Sequence, residues 1–153
     1  MILGIGSDLT SIDRISASID RLGNRFLRRV FTPDEIARAE TTLNPAGFNA
    51  KRWAAKEAVL KALGTGLNRK ISWRCIETYH LEGSRPAVRL LGGAADHLAA
   101  ICPPGHRAEV RLTLSDEQRL AQAFVVIEAG QASSEPRLMH GIFTTSGDHI
   151  ARP

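Results

Sequence analysis

Apolar positions along the chain switch between strand-like and helix-like spacing, and the switches divide it into elements. Ile2-Leu3-Gly4-Ile5-Gly6-Ser7-Asp8-Leu9 is a short apolar run broken by glycines, which predicts a buried strand with Asp8 near its C-terminal end. Ile12, Ile15, Ile19 and Leu22 then recur at helical spacing and leave Arg14 and Arg21 on the exposed side. Thr10 or Ser11 can cap this helix, and Thr10 with Asp13 resembles a capping box. After Gly23 a second helical stretch sets Arg25, Arg28 and Arg29 around Phe26, Leu27 and Val30. Thr32-Pro33-Asp34-Glu35 is a helix start, with a capping hydroxyl, a proline at the first position and Glu three residues after the cap. Asn44-Pro45 repeats the signal and opens a long helix.

Beyond that helix the spacing shortens. Ser72 to Leu81 reads as a strand, Glu82-Gly83-Ser84 as a turn and Ala87 to Leu91 as the returning strand, with Pro86 at its start where a missing donor is tolerated. Gly93 to Cys102 is a short alanine-rich helix stopped by Pro103-Pro104-Gly105. His106 to Ser115 alternates, Asp116-Glu117-Gln118 turns, and Leu120 to Ala129 returns as an apolar strand. The sum is an α+β domain, a largely antiparallel sheet packed on one long core helix, spanning residues 1–129. Residues 130–153 lose the pattern and read as a C-terminal tail that packs, if at all, through Ile142 and Phe143.

The chain is centred on Arg52 to Gly66, within and just past the long helix. Ala54, Ala55, Ala58 and Ala62 line one side, and Trp53, Val59, Leu60 and Leu63 spread over the rest. A helix apolar on all sides is a buried one. Glu57 and Lys61 nevertheless lie four apart on one face, with Lys56 beside them. Two readings fit: an intrahelical ion pair, or charges that meet a cleft or a ligand, because a lone buried charge is very costly. Gly64-Thr65-Gly66 is equally double: a helix stop, or backbone that a ligand can approach closely.

Bulk composition narrows the classes. With 153 residues, 43% of them apolar and 24% charged, the chain can bury a core of its own and is not disordered throughout. Its net charge of +4 favours acidic partners. The arginines between 14 and 29 are either a solvated face with stems lying on apolar surface or a docking patch for carboxylates. Cys75 and Cys102 lack a CxxC spacing, which argues against metal or redox chemistry through sulfur. The N-terminus has no basic leader and no apolar run approaches a membrane span, so a cytoplasmic location is the default expectation.

If Asp8 at the strand end meets Glu57 on the helix, two carboxylates converge from separate elements. Such hard oxygen ligands suit Mg²⁺, which takes one or two carboxylates and completes its shell with water and substrate phosphate. Lys61, Lys56 and Arg52 would add positive charge, and a diphosphate would find its neutralising partners there. The stretch is not a nucleotide P-loop, since it lacks GxxxxGK[ST] and follows a helix.

Three blocks in this order resemble the holo-acyl-carrier-protein synthase family of 4'-phosphopantetheinyl transferases. They are Gly4-Ile5-Gly6-Ser7-Asp8-Leu9, then Arg52 to Ala62 with Gly64-Thr65-Gly66, then Leu112-Thr113-Leu114-Ser115 followed by Ala123-Phe124-Val125. Phe31-Thr32-Pro33 and Ile71-Ser72-Trp73 are also similar to the family, and the likeness runs from Met1 to about Glu128. The resemblance implies transfer of 4'-phosphopantetheine from coenzyme A to a serine of apo acyl carrier protein, releasing adenosine 3',5'-bisphosphate and serving fatty acid biosynthesis. It implies Asp8 and Glu57 as Mg²⁺ ligands, and Glu57 and Lys61 as catalytic groups. Arg52, Lys56, Lys61, Gly64, Thr65 and Gly66 match the coenzyme A site, and Pro86 borders its adenine pocket. Arg14 and Arg21 match the helix that docks the acidic carrier, and the family implies a homotrimer with active sites between subunits.

One position departs from the family. Many members carry His directly after the serine of the third block, where this chain has Asp116, and an acid cannot supply that positive charge. Asp116 either meets metal-bound water or starts the turn. A basic module for nucleic acid or an acidic protein is the competing class. The carboxylate pair argues against it, because acids repel phosphates in the absence of a metal, so no nucleic-acid partner is expected.

Overall fold

The computed structural model describes residues 1–81 and 85–132. Strand β1 (Ile2–Ser11) leads into helices α1 (Ile12–Leu22), α2 (Asn24–Val30) and α3 (Pro33–Glu40), then the 19-residue helix α4 (Pro45–Leu63). A 3-10 turn (Trp73–Cys75) precedes the pair β2 (Ile76–His80) and β3 (Pro86–Leu90). Helix α5 (Gly92–Ile101) leads to the long pair β4 (His106–Glu117) and β5 (Leu120–Gln131). The fold is α+β with two antiparallel sheets, one in the order β1-β5-β4 and the other β2-β3.

Helix α4 lies under the three-stranded sheet, and small residues let the two come close. Ala54, Ala55, Ala58 and Ala62 pack against Ala123, Val125 and Ile127 of β5 in the main core cluster. Against β1 the approach is closer still. A Cβ on Gly4 would fall 2.0 Å from the carbonyl oxygen of Ala62, and one on Gly6 1.9 Å from that of Ala58. Real atoms do not come so near, so these glycines let the strand backbone rest on the helix backbone. Asp8, two residues further along the same face of the strand, is thereby delivered to the α4 surface.

Several local expectations change. β1 is an edge strand, not a buried one: its α4-facing positions are covered, but Ile5 is 56% and Leu9 61% exposed. Ser11, not Thr10, caps α1, accepting from the Arg14 amide at 3.2 Å. The Ser72–Leu81 segment begins as the 3-10 turn and becomes strand only at Ile76. β4 runs on through Glu117, so the turn falls at Gln118, whose φ is 51°. The Glu82-Gly83-Ser84 turn lies outside the described residues. So do residues 133–153, including Ile142 and Phe143, while β5 itself continues to Gln131.

Candidate active site

The glycine-mediated contact of β1 with α4 places Asp8 beside the charged face of the helix. Lys61 donates to Asp8 Oδ1 and to the Ser7 carbonyl, both at 2.8 Å. Thr10, nearly inaccessible, donates from Oγ1 to the other Asp8 oxygen at 3.1 Å. Asp8 is therefore held from both sides, and Lys61 takes its ion-pair partner from β1 and not from its own helix. The Thr10 role is absent from the sequence reading. A capping hydroxyl and a carboxylate-orienting hydroxyl look identical in sequence.

Glu57 stands next to this pair. Its carboxyl is raised above the usual range, first by partial burial and then by the negative charge of Asp8; Lys61 and Arg14 pull it back. Glu57, Leu60, Lys61, Gly64, Gly66, Leu67 and Trp73 line a cleft of about 380 Å³. Gly64 terminates α4 in the left-handed region at φ 72°, and Gly66 repeats that geometry at φ 61°. A side chain at either position would be strained, so both open one side of the cleft. Thr65 between them donates to the Gly66 carbonyl at 3.1 Å. Asp8, through its pair with Lys61, thus lies next to a cleft lined by Glu57, Lys61, Gly64 and Gly66.

The other expected ligand contacts fall elsewhere in the single chain. Lys56 is wholly buried, and its ammonium lies 2.8 Å from Glu35 Oε2. It donates as well to the carbonyls of Trp73 and Ile76. Burial lowers this ammonium's pKa while Glu35 draws it back up. In this arrangement the Lys56 ammonium points into the core, where its partners are Glu35 and two backbone carbonyls. Nothing around Lys56 signals this pairing in advance, because Glu35, 21 positions earlier, already looks fully employed as a capping-box residue.

Arg52 is also buried, at 2% exposure. It stacks over Phe48 at 3.9 Å and meets His80 Nδ1 through Nη2 at 3.2 Å. Burial lowers the guanidinium to about 10, and its Nε has no partner among the described residues. The guanidinium can only donate, so His80 Nδ1 accepts from Arg52, and the imidazole is held below its ordinary value by burial and then by Arg52, Arg38 and Lys51. Pro86 opens β3 beside Arg85, Arg111 and Leu112 in a different, smaller cleft of about 70 Å³. Asp116 is paired with Lys51 at 2.8 Å, inside a strand, so it does not start the turn. Arg14 and Arg21 are both exposed on α1, two helical turns apart.

Two carboxylates at one site, one of them strained by the other, are an arrangement that a cation relieves. Asp8 and Glu57 offer oxygen donors only, which fits Mg²⁺. Among the described residues no group of three or more His, Cys, Asp and Glu side chains converges. Such a site would leave room for substrate phosphate. No described helix is long and apolar enough to cross a membrane.

Comparison with known proteins places the chain in a family. Residues 4–114 match the 4'-phosphopantetheinyl transferase superfamily. The chain is 54% identical over 136 residues to a holo-[acyl-carrier-protein] synthase of Cereibacter sphaeroides, covering 89% of this chain and 99% of the relative. It is 56% identical over 129 residues to the synthase of Methylobacterium nodulans, covering 84% and 98%. Among solved structures, holo-[acyl-carrier-protein] synthase from Neisseria meningitidis superposes with a TM-score of 0.73 at 37% identity, over 84% of this chain and 99% of that one. The Helicobacter pylori synthase, solved in complex with coenzyme A, gives 0.68 at 26% identity, over 81% and 99%. With its α+β fold, its Asp8–Lys61–Glu57 site and relatives matched over nearly their full length, the chain belongs to the holo-[acyl-carrier-protein] synthase family of the 4'-phosphopantetheinyl transferase superfamily.

Proposed function

We propose that the protein transfers the 4'-phosphopantetheine group of coenzyme A to a serine of apo acyl carrier protein, in a Mg²⁺-dependent reaction that serves fatty acid biosynthesis. The observation that carries this reading is the meeting of Asp8 with Glu57 and Lys61 at a cleft floored by glycine backbone. The serine oxygen forms a bond to the phosphorus that bears pantetheine. The diphosphate P–O bond breaks, and adenosine 3',5'-bisphosphate leaves. Glu57, already shifted toward holding a proton, accepts the serine proton directly or through water. Lys61, about half exposed, turns its ammonium from Asp8 toward the charge that builds on the departing phosphate. Asp8 and Glu57 would hold Mg²⁺, which when bound would neutralise and orient the diphosphate.

Oligomerisation belongs to the same reading. The outer face of the three-stranded sheet exposes Ile5, Leu9 and Phe124, with Val126 half-buried between them. A contiguous apolar sheet face of this kind suits burial against another copy of the chain. A homotrimer with sites between subunits would also account for the separation of Pro86 and Arg52 from the Glu57 cleft, since a neighbour can complete each half. Arg14 and Arg21 offer the acidic carrier a basic strip that begins close to Glu57, as the influence of Arg14 on that carboxyl indicates. The test is turnover of apo carrier protein with coenzyme A and Mg²⁺. Asp8→Ala is expected to lower kcat/KM by at least about a hundredfold, and retained turnover refutes the role given to Asp8.

A further inference from the structure

Among the described residues the Lys56–Glu35 pair is the most buried charge, and the mechanism does not use it. Every valence is satisfied. The three ammonium protons of Lys56 go to Glu35 Oε2, the Trp73 carbonyl and the Ile76 carbonyl. Glu35 Oε2 also accepts from the Thr32 amide at 2.9 Å. Glu35 Oε1 accepts from the Thr78 amide at 2.9 Å and the Thr78 hydroxyl at 2.7 Å. Two charges thus fasten the start of α3, the middle of α4, the 3-10 turn and β2 to one another.

A buried ion pair is a poor way to gain stability alone, because apolar residues of the same volume serve as well or better. What it adds here is direction. Both carbonyls gripped by Lys56 belong to the segment that carries Trp73, which lines the cleft together with Glu57 and Lys61. The Trp73 ring is braced from behind by Trp53, 4.6 Å away, and Trp53 is stacked on Phe26 at 5.8 Å. The backbone clamp and the aromatic stack fix the same wall. Lys56 precedes Glu57 in sequence, so the residue that sets the wall and the residue that faces it move as one piece of α4.

We infer that Glu35 and Lys56 are positioning residues for the transfer reaction: they preset the distance between the Trp73 wall and the Glu57–Lys61 side of the cleft, and so fix how coenzyme A is seated. The inference rests on the transferase reading for its substrate. Glu35→Gln with Lys56→Met removes both charges together and strands neither in the core. The double variant is expected to unfold cooperatively, with KM for coenzyme A raised about tenfold and kcat changed less than about threefold. A folded double variant with KM within about twofold of the unaltered protein overturns the inference, since a purely structural pair would leave KM alone. Should the variant fail to fold, hydrogen exchange of the unaltered protein decides. A preset wall requires the Thr78 amide to exchange as slowly as that of Val59 before any coenzyme A is added; faster exchange at Thr78 overturns it. The exchange measurement needs no turnover, so it stands or falls independently of the assigned reaction.

Discussion

At the scale of single residues, the site is a balance of charges in which Glu57 carries the strain. Burial and Asp8 both raise its carboxyl, so in the folded protein it holds a proton to higher pH than in the unfolded chain. The sign follows. Below the unfolded value near 4.5 both states are protonated and there is no penalty; as pH rises through the raised folded value, stability falls. Glu57→Gln is expected to be more stable than the parent at neutral pH, by roughly 0.5–1 kcal/mol of relieved repulsion, and to lack the decline in stability that Glu57 imposes as pH rises above its unfolded value. A variant no more stable than the parent contradicts the strain. Asp8, Glu57 and Lys61 were legible as a set because their sequence blocks match a family. Their pairing was not, since Lys61 has a carboxylate four residues back and yet bonds one 53 residues away. Lys56 and Asp116 show the same limit. A charge reveals its partner only when the fold brings that partner in, and here the partners are Glu35 and Lys51.

At the scale of elements, the placement of Asp8 beside Lys61 depends on how closely β1 lies on α4. Gly4 and Gly6 read in sequence merely as interruptions of an apolar run, and their reason appears only when helix carbonyls are found 2 Å from where a Cβ would sit. Gly6→Ala is expected to push the strand off the helix. The predicted loss is about 2–3 kcal/mol in urea unfolding, together with a fall in kcat beyond what unfolding explains, because Asp8 moves with the strand. Stability within about 0.5 kcal/mol of the parent would show that the backbone contact gives way easily. The helices were legible throughout, from caps and spacing that act within a few residues: Thr32 with Glu35, Asn44 before Pro45, Gly64 after Leu63. The exposure of β1 was not, because an apolar run is the same whether covered by the chain itself or by another copy.

At the scale of the whole molecule, two features ask for a partner: the apolar outer sheet face and the division of expected ligand residues between separate clefts. Phe124→Asp places a charge on that face while leaving the α4-facing alanines and valine of β5 untouched. Light scattering is expected to show a trimer for the parent and a smaller species for the variant, with far-UV circular dichroism unchanged and transfer activity lowered by about tenfold or more. A parent that is monomeric and fully active contradicts the shared site. The central claim, that the Asp8–Glu57–Lys61 cleft moves phosphopantetheine from coenzyme A to a carrier serine, is tested most directly by the intact mass of the carrier protein. With enzyme, coenzyme A and Mg²⁺, apo carrier is expected to gain one phosphopantetheine per molecule, and Glu57→Gln to slow that gain by at least about a hundredfold. A carrier whose mass does not change, or one modified as fast by Glu57→Gln as by the parent, would contradict the account.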